Sequence, residues 1–153
     1  NPNTRMSEMG WDIFPEGLYH VLMRLKKYRL PVFITESGLA DSIDARRPQF
    51  IFETIEYLKQ AMEDGADVRG YFHWSLLDNF EWEKGYAAKF GLVEIDFATQ
   101  KRTPRGSYSV YAQICEANGI PHEMLRYVGH AVDQPYEPLA TGVHAKHPEG
   151  HVE

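Results

Sequence analysis

The stretch VFITESG, residues 32–38, decides how this chain is read. VFITE is short and nearly all apolar or β-branched, the pattern of a strand buried on both faces in a parallel sheet. The run ends on a carboxylate, Glu36, and a small residue and a glycine follow. A glutamate in that place is either a solvated strand end or a carboxylate aimed at a substrate. In parallel α/β folds, functional groups gather at the C-terminal ends of strands and in the loops after them.

Working outward, Pro31 closes the segment on the N-terminal side. Before it, Leu18, Val21, Leu22, Leu25 and Tyr28 recur at helical spacing, so 15–28 is predicted as an amphipathic helix opened by Pro15. Residues 1–14 read as a loop. On the other side, 37–47 is a loop with Gly38, Asp41 and Asp44. Pro48 opens a second helix, lined by Ile51, Ile55, Leu58 and Met62 and capped at Gly65. RGYFHWSL, 69–76, is a second, aromatic-rich strand followed by the loop LDNFEWEKGYAAK. FGLVEIDF, 90–97, alternates like a strand. Pro104 opens a third helix with Tyr108, Tyr111, Ala112 and Cys115 on one side, ended by Gly119. Alternating helices and buried strands predict parallel α/β architecture for 1–119. Residues 120–153 are predicted to be an extended tail. From Pro121 on they hold four of the nine prolines and five of the seven histidines, with little periodicity.

Composition narrows the function classes. The chain has 153 residues, 43% hydrophobic and 25% charged, as expected of a soluble globular protein. A net charge of −6 argues against nucleic acid and anionic membrane as partners. No apolar run approaches the roughly 18 residues of a membrane span. The segment NPNTRMSEMGW lacks the layout of a signal peptide. One cysteine, Cys115, fits a reducing compartment, so a cytoplasmic location is expected. Aromatics reach 13% and are dense between 71 and 97, which means either a thick core or a sugar-stacking surface.

Strand order places Glu36 on the same sheet edge as His73, Trp74 and Ser75, with Asp78, Asn79, Glu81 and Trp82 in the loop beyond. Each has a bland reading: a solvated glutamate, a satisfied buried histidine, core tryptophans, surface charges. Together, carboxylates and indoles suit sugar, whose hydroxyls take hydrogen bonds and whose C–H faces stack on rings. The five histidines His122, His130, His144, His147 and His151 fit no standard metal-ligand spacing, and a solvated tail is the simpler reading.

TESG around Glu36 and the run DVRGYFHWSLLDNFEWEKGYAAKFGLVEID closely resemble the C-terminal part of glycoside hydrolase family 1. MGWDIFPEGL and KRTPRGSYSVY resemble it at matching places, so the likeness spans roughly 5–119. The Arg-Pro before the second helix and the spelling DVRGY lean toward its archaeal-like branch. The resemblance implies strands seven and eight of a (β/α)8 barrel and a retaining β-glycosidase acting on β-linked glucose or galactose. It implies Glu36 as the nucleophile, in a motif that more often has Asn where this chain has Ser37. It implies Trp74 as the floor of the sugar site and Glu81 and Trp82 as the pair that holds the 4- and 6-hydroxyls. Phe90 matches an aromatic at the same end of the site. The carboxylate of Glu81 disfavours 6-phosphorylated sugars. No cofactor and no metal are implied.

The family's acid/base glutamate lies in an Asn-Glu-Pro motif, and this sequence has none. A whole barrel of this kind needs about 250 residues. The expected partners are therefore a β-glycoside and the N-terminal portion of the barrel, with the tail as a candidate oligomer contact. The chain alone is expected to be inactive. The alternative is an inactive or sugar-binding piece with a structural role beside a partner chain.

Overall fold

A computed structural model describes residues 5–127. Their elements run α1 (Glu16–Leu25), β1 (Val32–Gly38), α2 (Arg47–Glu63), β2 (Val68–Trp74), β3 (Val93–Ile95), β4 (Arg102–Pro104) and α3 (Gly106–Ala117). Short 3-10 turns follow at Lys26–Tyr28, Trp82–Lys84 and His122–Tyr127. The predicted helix–strand alternation is present. β1 and β2 pair in parallel, joined through α2, as a βαβ unit requires.

The helices form one layer against this sheet. Leu22 of α1, Leu58 and Ala61 of α2, and Ile34 and Val68 of the strands share one buried cluster. Ile51, Phe52 and Ile55 of α2 form a second with Val110 and Ile114 of α3, Leu92 and Met124. Tyr71 of β2 packs against both clusters. The opposite sheet face is bare: Phe33 is 57% and Phe72 58% exposed. The nearly continuous apolarity of β1 is thus only half used within this chain, because one face has helices and the other has nothing among the described residues.

The register is not uniform. Val32 pairs with Val68 and Gly38 with Trp74, an offset of 36 at both ends, but Phe33 with Gly70 and Ile34 with Tyr71 have an offset of 37. Each strand therefore carries one extra residue, and the two cancel. On β1 the irregularity falls between Ile34 and Ser37, so Thr35 and Glu36 together face Phe72.

Several boundaries differ from expectation. β1 runs past Glu36 to Gly38, so the glutamate sits inside the strand and not at its end. FGLVEIDF condenses to β3, three residues that pair antiparallel with β4 in a small hairpin. Pro104 belongs to β4, and α3 starts at Gly106. Asn118, at φ 45°, caps α3 in place of Gly119. Gly65, at φ 91°, ends α2 as expected. The first residues of the expected tail pack on α2: Met124 is fully buried, and the rings of Tyr127 and Phe52 lie 6.2 Å apart. The rest of the tail, with His130, His144, His147 and His151, lies outside the described residues. No helix among the described residues is long and apolar enough to cross a membrane.

Candidate active site

Glu36 occupies the bulge of β1. A bulge re-aims a side chain out of strand alternation and is common beside active sites. Glu36 is exposed and has no hydrogen-bond or ion-pair partner among the described residues. Two residues on, the strands press together: a Cβ on Gly38 would stand 1.7 Å from the Trp74 carbonyl oxygen. Only glycine permits that approach, and it brings the chain carrying Glu36 alongside the end of β2.

Trp74 ends β2, half-buried, and the peptide after it is cis. Its indole packs on a small cluster of Ala40, Ala88 and Phe90, with Met9 beside it. Phe90 is 5% exposed, and Trp11 from the N-terminal loop lies with its ring 6.4 Å away. Phe90, expected at the sugar end of the site, is largely buried, with its ring in the cluster that packs against Trp74.

The loop from Ser75 to Val93 is long but closely tied. Ser75 N donates to Phe90 O at 3.2 Å, Leu92 N to Ser75 O at 2.8 Å and Val93 N to Leu76 O at 2.9 Å. The Asp78 carboxylate accepts Gly91 N at 2.9 Å and both terminal nitrogens of Arg105 at 3.0 and 2.9 Å. That ion pair is buried and bidentate, the geometry in which Arg–carboxylate pairs are strongest. Arg105 also donates to Gly91 O at 2.7 Å. Asn79 bonds Ser75 Oγ at 3.0 Å, so Asp78 and Asn79 serve the loop and not a ligand.

At the loop's far end a tight turn holds Glu81 and Trp82. Glu81 N donates to Gly85 O at 2.6 Å, and Lys84 N to Glu81 O at 2.8 Å. Trp82 has φ 42° and is 80% exposed, the most exposed large apolar side chain described. Glu81 is half-buried. The indole stands in solvent beside the Glu81 carboxylate, in a chain that also exposes Trp11, Phe14, Tyr28 and Phe80.

His73 faces away from this edge, into the helix layer. Phe50 and Tyr111 flank it, with ring centroids 6.4 and 5.8 Å away, and Nδ1 lies 3.5 Å from the Tyr71 hydroxyl. Burial, and secondarily the Arg47 guanidinium, push its pKa down to about 3. The ring is neutral at physiological pH. The Tyr71 hydroxyl, raised in pKa by burial, donates a long bond of 3.4 Å to Ser37 O beside Glu36.

Sequence reasoning missed a polar clasp below the site. Arg47 is fully buried. It donates to Leu39 O at 3.2 Å and Lys89 O at 2.7 Å and pairs with Asp44. Asp41 accepts the backbone N–H of Arg46 and Arg47 at 2.7 and 2.9 Å, capping α2. Asp44 accepts Ser107 N at 2.8 Å, capping α3. One loop after β1 thus anchors both helices and the loop after β2. The residues that could have signalled it, Asp41, Asp44 and Arg47, read locally as an ordinary polar loop.

Comparison with known proteins agrees with this architecture. The family model of glycosyl hydrolase family 1 matches residues 1–120. A β-galactosidase of Sulfolobus acidocaldarius is 44% identical over 123 residues, covering 80% of this chain and 25% of the relative. β-Glucosidase A of Thermotoga maritima is 42% identical over 123 residues, covering 73% and 28%. The solved β-glycosidase of Pyrococcus horikoshii superposes with a TM-score of 0.79 at 43% identity, over 84% of this chain and 30% of the other. The β-glycosidase of Thermosphaera aggregans gives 0.79 at 41% identity. This chain therefore spans about a quarter of the length of such relatives. Its two parallel strands and their helices are part of a (β/α)8 barrel.

Proposed function

Because the chain belongs to glycosyl hydrolase family 1, we propose that it is the nucleophile-bearing part of a retaining β-glycosidase for terminal β-linked glucose or galactose. The observation that carries the reading is the setting of Glu36. An exposed, unpartnered carboxylate sits on a bulge, pressed by Gly38 against the strand that ends in Trp74.

In this reading the Glu36 carboxylate attacks the anomeric carbon, the bond to the leaving oxygen breaks, and a glycosyl ester forms. A second carboxylic acid gives its proton to the leaving oxygen. The same group, as a base, then takes a proton from the water that hydrolyses the ester. The two groups must lie about 5–5.5 Å apart. Trp74 stacks on the sugar's C–H face. Glu81 and Trp82 hold its 4- and 6-hydroxyls, the tied loop fixing their position, and the carboxylate of Glu81 repels a 6-phosphate. The acid/base comes from polypeptide outside this chain, and the chain alone does not turn over. The relatives named β-galactosidase and β-glucosidase support both sugars as substrates.

The test is native mass spectrometry of the protein followed by turnover of nitrophenyl β-glucoside and β-galactoside. The 17.7 kDa chain should be active only with the remainder of a barrel. Turnover by the 17.7 kDa species alone, abolished in Glu36→Gln, would show that no second polypeptide supplies the acid.

A further inference from the structure

The turn that carries Glu81 and Trp82 has an unusual backbone. Trp82 lies at φ 42° and Gly85 at φ 57°. A bulky residue in the left-handed region is uncommon, and it persists only where its surroundings over-determine it. The Trp82 side chain cannot supply that hold, because it is 80% exposed. The turn's own bonds run from Glu81 N to Gly85 O at 2.6 Å, from Lys84 N to Glu81 O at 2.8 Å and from Gly85 N to Trp82 O at 3.0 Å. They close the turn on itself and leave its direction unset.

A ladder of rings sets that direction. Phe80 and Tyr86 stand on the two legs of the turn, one residue before Glu81 and one after Gly85. Their rings meet near edge-on, with centroids 5.5 Å apart and an interplanar angle of 68°. Tyr86 also packs on Phe97, at 4.3 Å and 48°. The Lys89 ammonium lies 5.0 Å from the centroid of Phe97. The far end of the ladder is anchored twice. Phe97 sits in the turn between β3 and β4, where the Asp96 carboxylate accepts the N–H of Ala98 and Thr99 at 2.9 and 3.2 Å. The Lys89 carbonyl accepts Asp41 N at 2.9 Å and the Arg47 guanidinium at 2.7 Å. Phe80 and Tyr86 are 55% and 53% exposed, and none of the three rings belongs to a buried cluster among the described residues. The ladder is therefore not core. Nor do its tilted rings share a plane on which a sugar could lie.

We propose that Tyr86 is a positioning residue: packed on Phe80 and Phe97, it aims the Glu81 carboxylate and the Trp82 indole, and so sets how strongly the sugar's 4- and 6-hydroxyls are recognised. This rests on the reading of the chain as part of a β-glycosidase. Tyr86 acts through the turn and not on the sugar. Its effect scales with how many of those two hydroxyls a substrate carries, which a merely structural role would not do.

Hydrogen exchange followed by nuclear magnetic resonance on the chain reads the turn directly. In Tyr86→Leu the Glu81 and Gly85 amides should exchange about tenfold faster, as expected for a lost aromatic pair. The Leu92 amide, bonded to Ser75 O, should be unchanged. Tyr86→Phe keeps the ring and should match the wild type. Phe97→Leu breaks the ladder from the hairpin and should reproduce Tyr86→Leu. In the completed enzyme, Tyr86→Leu should lower kcat/KM for nitrophenyl β-galactoside about tenfold, mainly through KM. For the 6-deoxy counterpart, which keeps one of the two hydroxyls, the loss should be about threefold. Equal losses for the two sugars, a Tyr86→Phe variant as impaired as Tyr86→Leu, or turn amides that exchange at the wild-type rate would overturn the proposal. A turn loosened by Tyr86→Leu in an enzyme that hydrolyses neither sugar sinks the glycosidase reading alone. Hydrolysis with equal losses sinks the positioning role alone.

Discussion

Acidification should unfold this chain through His73. The imidazole is packed between Phe50 of α2 and Tyr111 of α3, with Tyr71 on its own strand and the Arg47 guanidinium adding an unfavourable positive field. Its pKa falls from 6.5 to about 3. The folded value lies below the unfolded one, so the unfolded chain takes up the proton first as pH drops. Stability is whole above pH ~6.5 and is lost progressively down to about 3. At about 1.4 kcal/mol per unit, moving from pH 7 to 4.5 crosses about two units and removes roughly 2–3 kcal/mol. That is a large fraction of an ordinary domain's stability. The assay is urea denaturation at the two pH values, followed by tryptophan fluorescence and far-ultraviolet circular dichroism. His73→Phe retains the ring contacts and cannot be protonated. It should be within about 1 kcal/mol of the wild type at pH 7 and lose little further at pH 4.5. A His73→Phe chain that loses as much stability between the two pH values as the wild type would refute the reasoning.

Other outcomes follow from single contacts. Asp78→Asn keeps the shape but leaves the buried Arg105 guanidinium without its counter-charge. It should cost about 3–5 kcal/mol in urea unfolding. Gly38→Ala puts a methyl 1.7 Å from the Trp74 carbonyl oxygen, so the strands must separate. A loss of about 1–3 kcal/mol or more is expected, with a blue or red shift in tryptophan emission. In the completed enzyme, Trp82→Ala should raise KM for unphosphorylated glycosides by about tenfold or more if, as proposed, its exposed indole contacts the sugar. Steady-state kinetics checks it, and an unchanged KM removes Trp82 from the site.

The two strands were legible because VFITE and RGYFHW carry apolar runs bounded by Pro31 and Gly65, which local pattern reads well. The bulge at Thr35–Glu36 was not, since a period of two residues gives no sign of one extra residue in a pairing. FGLVEIDF looked like a full strand because it alternates. In the structure Phe90 and Leu92 give their backbone bonds to Ser75, and only Val93–Ile95 find a strand partner. The burial of Phe90 was not legible because it depends on Ala40, distant in sequence, and on Ala88, neutral in character. The Arg47 clasp was invisible for a related reason. Its acceptors include backbone carbonyls of Leu39 and Lys89, which no side-chain pattern records. Glu36, Trp74, Glu81 and Trp82 became a set only through resemblance to a family. β1 and β2 end together, which brings the Glu36 strand alongside Trp74, and the chemical roles of the four residues do not follow from spacing.

The most direct measurement is covalent trapping in the completed enzyme with a 2-deoxy-2-fluoro-β-glucoside bearing a good leaving group. Fluorine destabilises the oxocarbenium-like transition state of both steps, and the leaving group rescues only the first, so a glycosyl ester accumulates. Peptide mapping by mass spectrometry then locates it. The expected result is one sugar on the peptide that contains Glu36, none on Glu36→Gln, and activity lost in step with labelling. A label on Glu81 or on the other polypeptide, or hydrolysis that proceeds with no label at Glu36, would contradict the assignment of the nucleophile.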